Sequence, residues 1–319
     1  MRILVTGGTG FAGSFLVEQL LAEGHELFGL VHPSTSHQSL PEHPLFTPVE
    51  GDLLDGDFLT QLLQETRPQA IYHLAGQASP GLSWQKPALT LAVNAGGTAT
   101  LLVAAAQLDP MPRVLVVTSA EIYGPIQPEM LPLTEATPPA PTHPYGVSKW
   151  AASQLVNLYW QRFGLPVIEA RPFNHIGPRQ MLGFVVPDFA SQFAAMKLGQ
   201  KPPVLSVGNL GAERDFTDVR DVVAAYHALM AQGKPGQSYL ICSGQCTQIE
   251  TIVDTLAQLA GVAVQIEPDP ARMRPLDTPR LVGSYAKLHQ DTGWRPQIPL
   301  HQSLADALDD WLIRLSNTQ

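Results

Sequence analysis

Residues 3–13 read Ile-Leu-Val-Thr-Gly-Gly-Thr-Gly-Phe-Ala-Gly. A short β-prone run, Ile3–Val5, gives way to Gly7, Gly10 and Gly13, with two residues between each and the next. A helical pattern opens at once, with Phe15, Leu16, Leu20 and Leu21 on one side. Strand, tight glycine turn and helix N-terminus in immediate succession suit one ligand above all, a pyrophosphate. Glycines let the backbone approach the phosphates, and the free N–H groups and positive dipole end of the helix face the anion. Gly8, Gly10 and Gly13 also satisfy G-x-G-x-x-G, a weak signal alone and a strong one between a strand and a helix. A bare βα turn without ligand is the competing reading. Gly7, Gly10, Phe11, Ala12 and Gly13 are the candidate contacts to a dinucleotide.

The alternation continues. Strands are predicted at His25–Leu30, Phe46–Glu50, Ala70–Leu74, Arg113–Thr118 and Val167–Arg171. Helices are predicted near Ser14–Glu23, up to Gln64, over Ala88–Leu108 and over Tyr145–Phe163. Short Val, Ile and Leu runs alternating with helices predict an α/β fold, a doubly wound parallel sheet covered on both faces. After Arg171 the pattern loosens, with helices at Val186–Leu198, Asp221–Gln232, Ile249–Ala260 and Ser303–Ile313. Short strands are predicted near Val204–Val207, Ser238–Ile241 and Val264–Glu267. This reads as a smaller, interleaved domain. Residues 1–171, with about 215–245, form the dinucleotide unit; about 172–214 and 246–319 form the substrate unit. The Pro- and Thr-rich segment Pro125–Pro144 is too long for a simple connector and reads as a loop near the active site.

The 319 residues suffice for such a unit, with 45% apolar and 15% charged residues. Net charge is −9 with scattered Lys and Arg, which argues against nucleic acid or an anionic membrane as partner. No run approaches the ~18 apolar residues of a membrane span. No charged-then-apolar leader precedes the first strand, so the expected location is cytoplasmic. Cys242 and Cys246 cannot complete a Cys-only zinc site and read as ordinary thiols in a reducing compartment. No metal is expected.

Tyr145-Gly-Val-Ser-Lys149 puts a phenol and an ammonium four residues apart on one helix face, with Pro144 at the helix start. A lysine beside a tyrosine favours the phenolate and is expected to lower its pKa. Such a tyrosine exchanges a proton with a carbonyl or alcohol. Val117-Thr-Ser-Ala-Glu-Ile-Tyr-Gly124 begins at the carboxyl end of a sheet strand, where ligands bind in open α/β folds. Ser119 there suits a hydrogen bond to a substrate oxygen. NAD-preferring sites carry an acid after the second strand. Here Leu30–Thr35 has none, and His32, Ser34 and Thr35 can take a 2′-phosphate. NADP(H) is therefore expected, with NAD(H) the alternative.

The glycine loop, His73-Leu-Ala-Gly76, Ser119 and the Tyr145/Lys149 pair resemble the extended short-chain dehydrogenase/reductase superfamily, over nearly the whole chain. The resemblance implies a Rossmann domain and a domain for nucleotide-activated sugars. It implies Ser119, Tyr145 and Lys149 as the catalytic set, and a homodimer through the 88–108 and 145–163 helices. Asp52 and Leu53 would lie beside the adenine. Leu74, Ala75, Gly76 and Thr118 would line the cofactor path, with Pro172, Asn174 and His175 near the nicotinamide and substrate. The segments Phe173–Phe189 and Val207–Asp221 resemble the GDP-6-deoxy-4-keto-mannose reductases more than the related GDP-mannose 4,6-dehydratases. This implies ketone reduction at sugar C4 of a GDP-linked substrate, giving GDP-D-rhamnose. It also implies Arg179, Arg214, Arg274 and Asn174 at the diphosphate, Asp277 at the nucleoside ribose, and Ser79 and Glu121 at the sugar. Dehydratases carry Thr, then Asp or Ser, then Glu at this strand end. The chain has Ser119-Ala120-Glu121; Glu121 is a candidate catalytic base or sugar-orienting group, with a structural role as the competing reading, and Ala120 has no proton for a leaving hydroxyl. A dehydratase or 4-epimerase, and a dinucleotide-binding sensor without turnover, are the alternative readings.

Overall fold

The computed structural model describes residues 1–34, 42–124, 126–270 and 279–317. Thr35, Arg274 and Asp277, named above as ligand contacts, lie outside the described residues. The first half runs β1 (Arg2–Thr6), α1 (Phe11–Ala22), β2 (Glu26–Val31), β3 (Phe46–Glu50), α2 (Gly56–Thr66), β4 (Ala70–His73), α3 (Pro80–Gln85), α4 (Pro87–Leu91), α5 (Gly97–Ala105), β5 (Arg113–Val117), α6 (Pro144–Phe163) and β6 (Val167–Pro172). The second half runs β7 (Asn174–Ile176), α7 (Val185–Lys197), β8 (Val204–Val207), β9 (Glu213–Asp218), α8 (Val219–Gln232), β10 (Ser238–Ile241), β11 (Cys246–Gln248), α9 (Ile249–Ala260), β12 (Gln265–Pro268), β13 (Arg280–Leu281), α10 (Ala286–Thr292) and α11 (Leu300–Ser316).

Seven strands form one parallel sheet in the order β10-β6-β5-β4-β1-β2-β3. The order turns back between β1 and β4, so their carboxyl ends open a crevice at the glycine turn. Alternate residues face opposite layers. Ile3, Val5, Tyr72, Leu115 and Ile168 pack with Leu16, Val17 and Leu20 of α1 and Val222, Tyr226 and Leu229 of α8. Leu4, Ile71, Val114, Val116 and Val167 pack on the other side with Leu59 and Leu63 of α2, Leu101 and Leu102 of α5 and Val156 of α6. This is the α/β doubly wound architecture the alternation predicts.

The helix expected over 88–108 runs from Pro87 to Ala105, with its middle, Ala92–Gly96, wound as a π-turn. By length and composition this stretch is apolar enough to cross a membrane, which an unbroken-run criterion passed over because Thr90, Asn94, Thr98 and Thr100 interrupt it. Leu101, Leu102, Ala104 and Ala105 are buried in the protein core.

A second core joins Phe189, Phe193 and Ala194 of α7 to Ile252 and Leu256 of α9, Leu304, Leu308 and Trp311 of α11, and Leu205 of β8. Strand β9 carries β7 and β13 as parallel partners and β11 as an antiparallel one, and β8 pairs with β12. Residues 286–294, expected in this second unit, pack instead on the first. Leu288 and Trp294 fill the core between the large sheet and α8, where the Trp294 indole N–H reaches the Asp221 carbonyl at 3.0 Å. The two units are also clipped together. Arg220 binds Asp218 at 2.7 Å and Asp306 of α11 at 2.6 Å, and Ser303 donates to Asp218 at 2.6 Å.

The end strand β10 does not present a bare edge. Glu135, from the Pro-rich segment, accepts the Leu240 N–H at 2.9 Å, and Leu133 bonds Val282 and Ser284 on either side. Covering an edge strand this way prevents pairing with another chain.

Behind the crevice sits a buried ion pair. Arg171 holds Glu169 through Nε and Nη2 at 3.0 and 2.8 Å. Glu169 also accepts from Thr118 at 2.7 Å and Ser238 at 2.5 Å, and Arg171 donates to Tyr123 and Ser153. Burial opposes the Glu169 charge, yet the guanidinium and hydroxyl donors hold its pKa below the usual carboxylate range. Removing one member strands the other without water. Arg171→Met is therefore expected to lower unfolding free energy by about 3–5 kcal/mol, measured by urea denaturation; a loss under about 1 kcal/mol, the range of exposed pairs, would show the network to be incidental.

Candidate active site

The glycine turn is built by contact. Gly7 has φ +75°, a conformation that L side chains rarely adopt. Gly10 bonds back to the Gly7 carbonyl at 3.0 Å and is the N-cap of α1, with no side-chain cap. A Cβ on Gly13 would be driven into the Gly7 carbonyl, and one on Gly7 into the Leu74–Ala75 backbone. The first turn of α1, carrying Phe11, Ala12 and Gly13, thus sits directly on the loop. This is a cradle shaped for phosphate oxygens, and the residues present fit a dinucleotide.

The far wall comes from β4 and the loop beyond it. His73 lies between Thr6 at 2.8 Å and Thr98 at 3.0 Å. Burial first, then the Lys149 charge, pushes its pKa down to about 3, so it is a neutral structural bridge. Thr6 also accepts the Ala75 N–H. Gly76 leaves no room for a Cβ, which would meet Asn94 Oδ1 at 2.8 Å and Lys149 Nζ at 3.3 Å. At the other end of the crevice, His32 bonds Ser34 at 2.7 Å. Asp52, from the end of β3, lies 4.0 Å from His32 and accepts the Leu54 N–H. The Leu53 side chain is buried against Gly97, so only its backbone can face an adenine.

Tyr145, Ser119, Lys149 and Glu121 come together where β5 ends and α6 begins. Tyr145 lies in the first turn of α6, with its phenol close enough to the Ser119 side chain for that hydroxyl to lower its pKa. Ser119 also caps the turn Ala120–Ile122 by accepting the Glu121 N–H at 3.1 Å. Lys149 is buried and donates to the Val117 carbonyl at 2.9 Å. Burial brings its pKa down to about 8. The expected lowering of the phenol by Lys149 is not what the fold produces. Burial pushes Tyr145 up to about 12, the Ser119 hydroxyl offsets part of this, and the nearby Glu121 charge adds to it. The ammonium is turned to Val117, and desolvation of the phenol wins.

Two residues here were missed from the sequence. Asn94, buried in the π-turn, accepts the Gln77 N–H at 2.7 Å and donates to the Gln77 carbonyl and to Ser148 of α6. It ties the Gly76 loop to the Tyr145 helix. Its signal was a single amide inside an apolar helix, and π-turns gather at functional sites. His143 caps α6 and bonds Glu121 at 2.9 Å.

The substrate-side residues separate. His175 stacks on Phe11 at 5.7 Å with rings 8° apart, joining the cofactor loop to the segment after Pro172. Burial lowers its pKa. Asn174 pairs with Phe216, so Asn174 and Arg214 share one face of the β7–β9 ladder. Ser79 accepts the Leu82 N–H as the cap of α3. Arg179 points elsewhere: it is held bidentately by Glu18 of α1 at 2.5 and 3.0 Å and lies 3.6 Å over the Phe15 ring. Its expected place at a diphosphate is not where this geometry directs it.

A GDP-mannose 4,6 dehydratase family model matches residues 4–307. The chain belongs to the GDP-mannose 4,6-dehydratase family. Within it, the chain is 40% identical to GDP-6-deoxy-D-mannose reductase of Pseudomonas aeruginosa, over 98% of each chain. The solved structure of RMD from Pseudomonas aeruginosa complexed with NADPH superposes with TM-score 0.84 at 37% identity, covering 98% and 99% of the two chains. UDP-glucose 4-epimerase of Thermotoga maritima with UDP-glucose superposes at 0.90 with 26% identity, covering 99% and 100%. Family membership agrees with the short-chain dehydrogenase/reductase resemblance drawn from the motifs.

Gly13→Ala is expected to weaken NADPH binding by tenfold or more, roughly 1.4 kcal/mol, in a fluorescence titration. Unchanged affinity would remove the turn from the binding site.

Proposed function

We propose that the chain is a nucleotide-sugar 4-ketoreductase that converts GDP-4-keto-6-deoxy-D-mannose to GDP-D-rhamnose. One observation carries the reading: the buried Tyr145 phenol meets Ser119, while Ala120 is 2% exposed in an apolar cluster with Ile122, Tyr123 and Phe173. A dehydratase needs a further acid to expel a hydroxyl, and the methyl of Ala120 has no proton to give. The identity with GDP-6-deoxy-D-mannose reductase supports the same choice.

NADPH, when bound, supplies the hydride to sugar C4. The Ser119 and Tyr145 hydroxyls hold the ketone oxygen, and the phenol passes its proton to that oxygen as the alcohol forms. Raised to about 12, the phenol enters the step protonated. Buried Lys149 then stabilises the phenolate left behind. NADP(H) is preferred over NAD(H) in this reading, supported by the absence of an acid in Leu30–Ser34 and by the NADPH-bound neighbour. Asn174 and Arg214 are the proposed diphosphate contacts among the described residues, with Ser79 and Glu121 toward the sugar. A cytoplasmic location fits the two free thiols, Cys242 and Cys246.

With purified protein, GDP-4-keto-6-deoxy-mannose should oxidise NADPH, followed at 340 nm (roughly the reduced nicotinamide band) and by the sugar product. Tyr145→Phe should lower kcat by about 10²–10⁴. Inertness toward the ketone together with conversion of GDP-mannose to it would turn the reading into the dehydratase.

The proposed homodimer forms through the 88–108 stretch and α6, where Leu89 (48%), Val103 (44%), Val147 (43%) and Leu158 (55%) are exposed. Exposed apolar residues on these two helices support a contact surface there. Leu158→Asp should shift the protein from dimer to monomer in light scattering after gel filtration. A wild-type monomer at micromolar concentration would end this part of the reading.

A further inference from the structure

His143 stands where a helix start normally has Ser, Thr, Asp or Asn. It does the same work: its Nδ1 accepts the Gly146 N–H at 3.0 Å and caps α6. That bond fixes the ring's tautomer. With Nδ1 used as an acceptor, the proton resides on Nε2. Nε2 lies 2.9 Å from Glu121 Oε2, so His143 donates to the carboxylate. One ring therefore joins the first turn of the Tyr145 helix to the turn that follows Ser119. The Tyr145 ring lies nearly parallel to it, 6.0 Å away with planes 14° apart. The joint is tight, since a Cβ on Gly146 would come within 2.5 Å of the Glu121 carbonyl and 3.3 Å of the His143 ring.

A serine or asparagine would cap α6 equally well. The added reach of imidazole is what brings a donor to Glu121. From this juxtaposition we infer that His143 is a positioning residue: it holds the Glu121 carboxylate at a fixed place beside Tyr145, so that the group proposed to orient the sugar keeps its register with the phenol. The inference rests on the ketoreductase reading above and deepens it. Glu121 lies close enough to Tyr145 for its charge to bear on the phenol, in the direction already described. In this reading His143 acts through Glu121.

The test uses His143→Asn, which keeps a capping acceptor but is too short to reach Glu121, with His143→Ser as a second cap-retaining variant. Thermal midpoint and NADPH affinity should match wild type. The kcat for ketone reduction should fall by about tenfold to a hundredfold, the scale of misplacing a catalytic group, with KM for the sugar nearly unchanged. Combined with Glu121→Gln, His143→Asn should add no further loss. Wild-type kcat in both His143 variants would overturn the inference, as would losses that multiply with Glu121→Gln or that track a fallen thermal midpoint. Nitrogen-15 imidazole spectra of the intact protein give a separate arm. They should show the Nε2–H tautomer at His143, with the Nε2 proton shift moving in Glu121→Gln. An Nδ1–H tautomer would sink the pairing whether or not any sugar is turned over, whereas an inert wild type with the expected tautomer would sink only the ketoreductase reading.

Discussion

The structure is organised by one contact, the seating of α1 on the Gly7 carbonyl. Because Gly13 has no side chain, the helix begins against the loop rather than an ångström or more beyond it. That closeness aims the first-turn N–H groups of α1 at the carboxyl ends of β1 and β4. It also sets where everything else must arrive. Phe11, first residue of α1, meets His175 from the far side of the crevice. Leu74 and Ala75 abut Gly7 from β4. A residue larger than glycine at position 13 would tilt the helix and move both walls together.

Around that seat, polar groups are spent on joining elements rather than on solvent. Thr6 to His73 to Thr98 crosses from β1 through β4 to the start of α5. Gln77 to Asn94 to Ser148 crosses from the β4 loop through the π-turn to α6. Thr118 to Glu169 to Arg171 to Tyr123 ties the end of β5 to β6. The second and third chains end within a residue or two of a candidate catalytic group, and the first begins beside Gly7. Fully satisfied buried networks of this kind cost much to disturb and hold a single geometry, which suits a site whose proton donor must meet a carbonyl oxygen within hydrogen-bond distance.

The parts of this arrangement readable from sequence are those set by local spacing. The glycine turn, the Tyr145–Lys149 pair on one helix face and the β-α alternation follow from periods of two and of 3.6 residues, so the sheet and the acid–base helix were legible. Residues whose role depends on a distant partner were not. Asn94 looks like a blemish in an apolar helix until Gln77 and Ser148 are brought to it. His143 looks like a loop residue until Glu121 faces it. Arg179 reads as a free cation until Glu18 and Phe15, over 160 residues earlier, take it up. Residues 286–294 follow the second unit in sequence but bury Trp294 against α8 of the first. The phenol's charge state failed for the same reason. Spacing shows that Lys149 is near, but only burial and the ammonium's bond to Val117 decide which effect wins.

The direction of that outcome bears on the chemistry. Burial raises the phenol to about 12, so it holds its proton near neutrality, the form a ketone reduction draws on. Glu121 beside it acts in the same sense, since its charge makes the phenolate less favourable. Lys149, buried and bonded to the Val117 carbonyl, is not among the groups that set the phenol here. Its burial makes the ammonium itself easy to neutralise, with a pKa of about 8, so a newly formed phenolate and a buried ammonium relieve each other's desolvation. The departure of one proton from Tyr145 thus converts two buried groups into a pair.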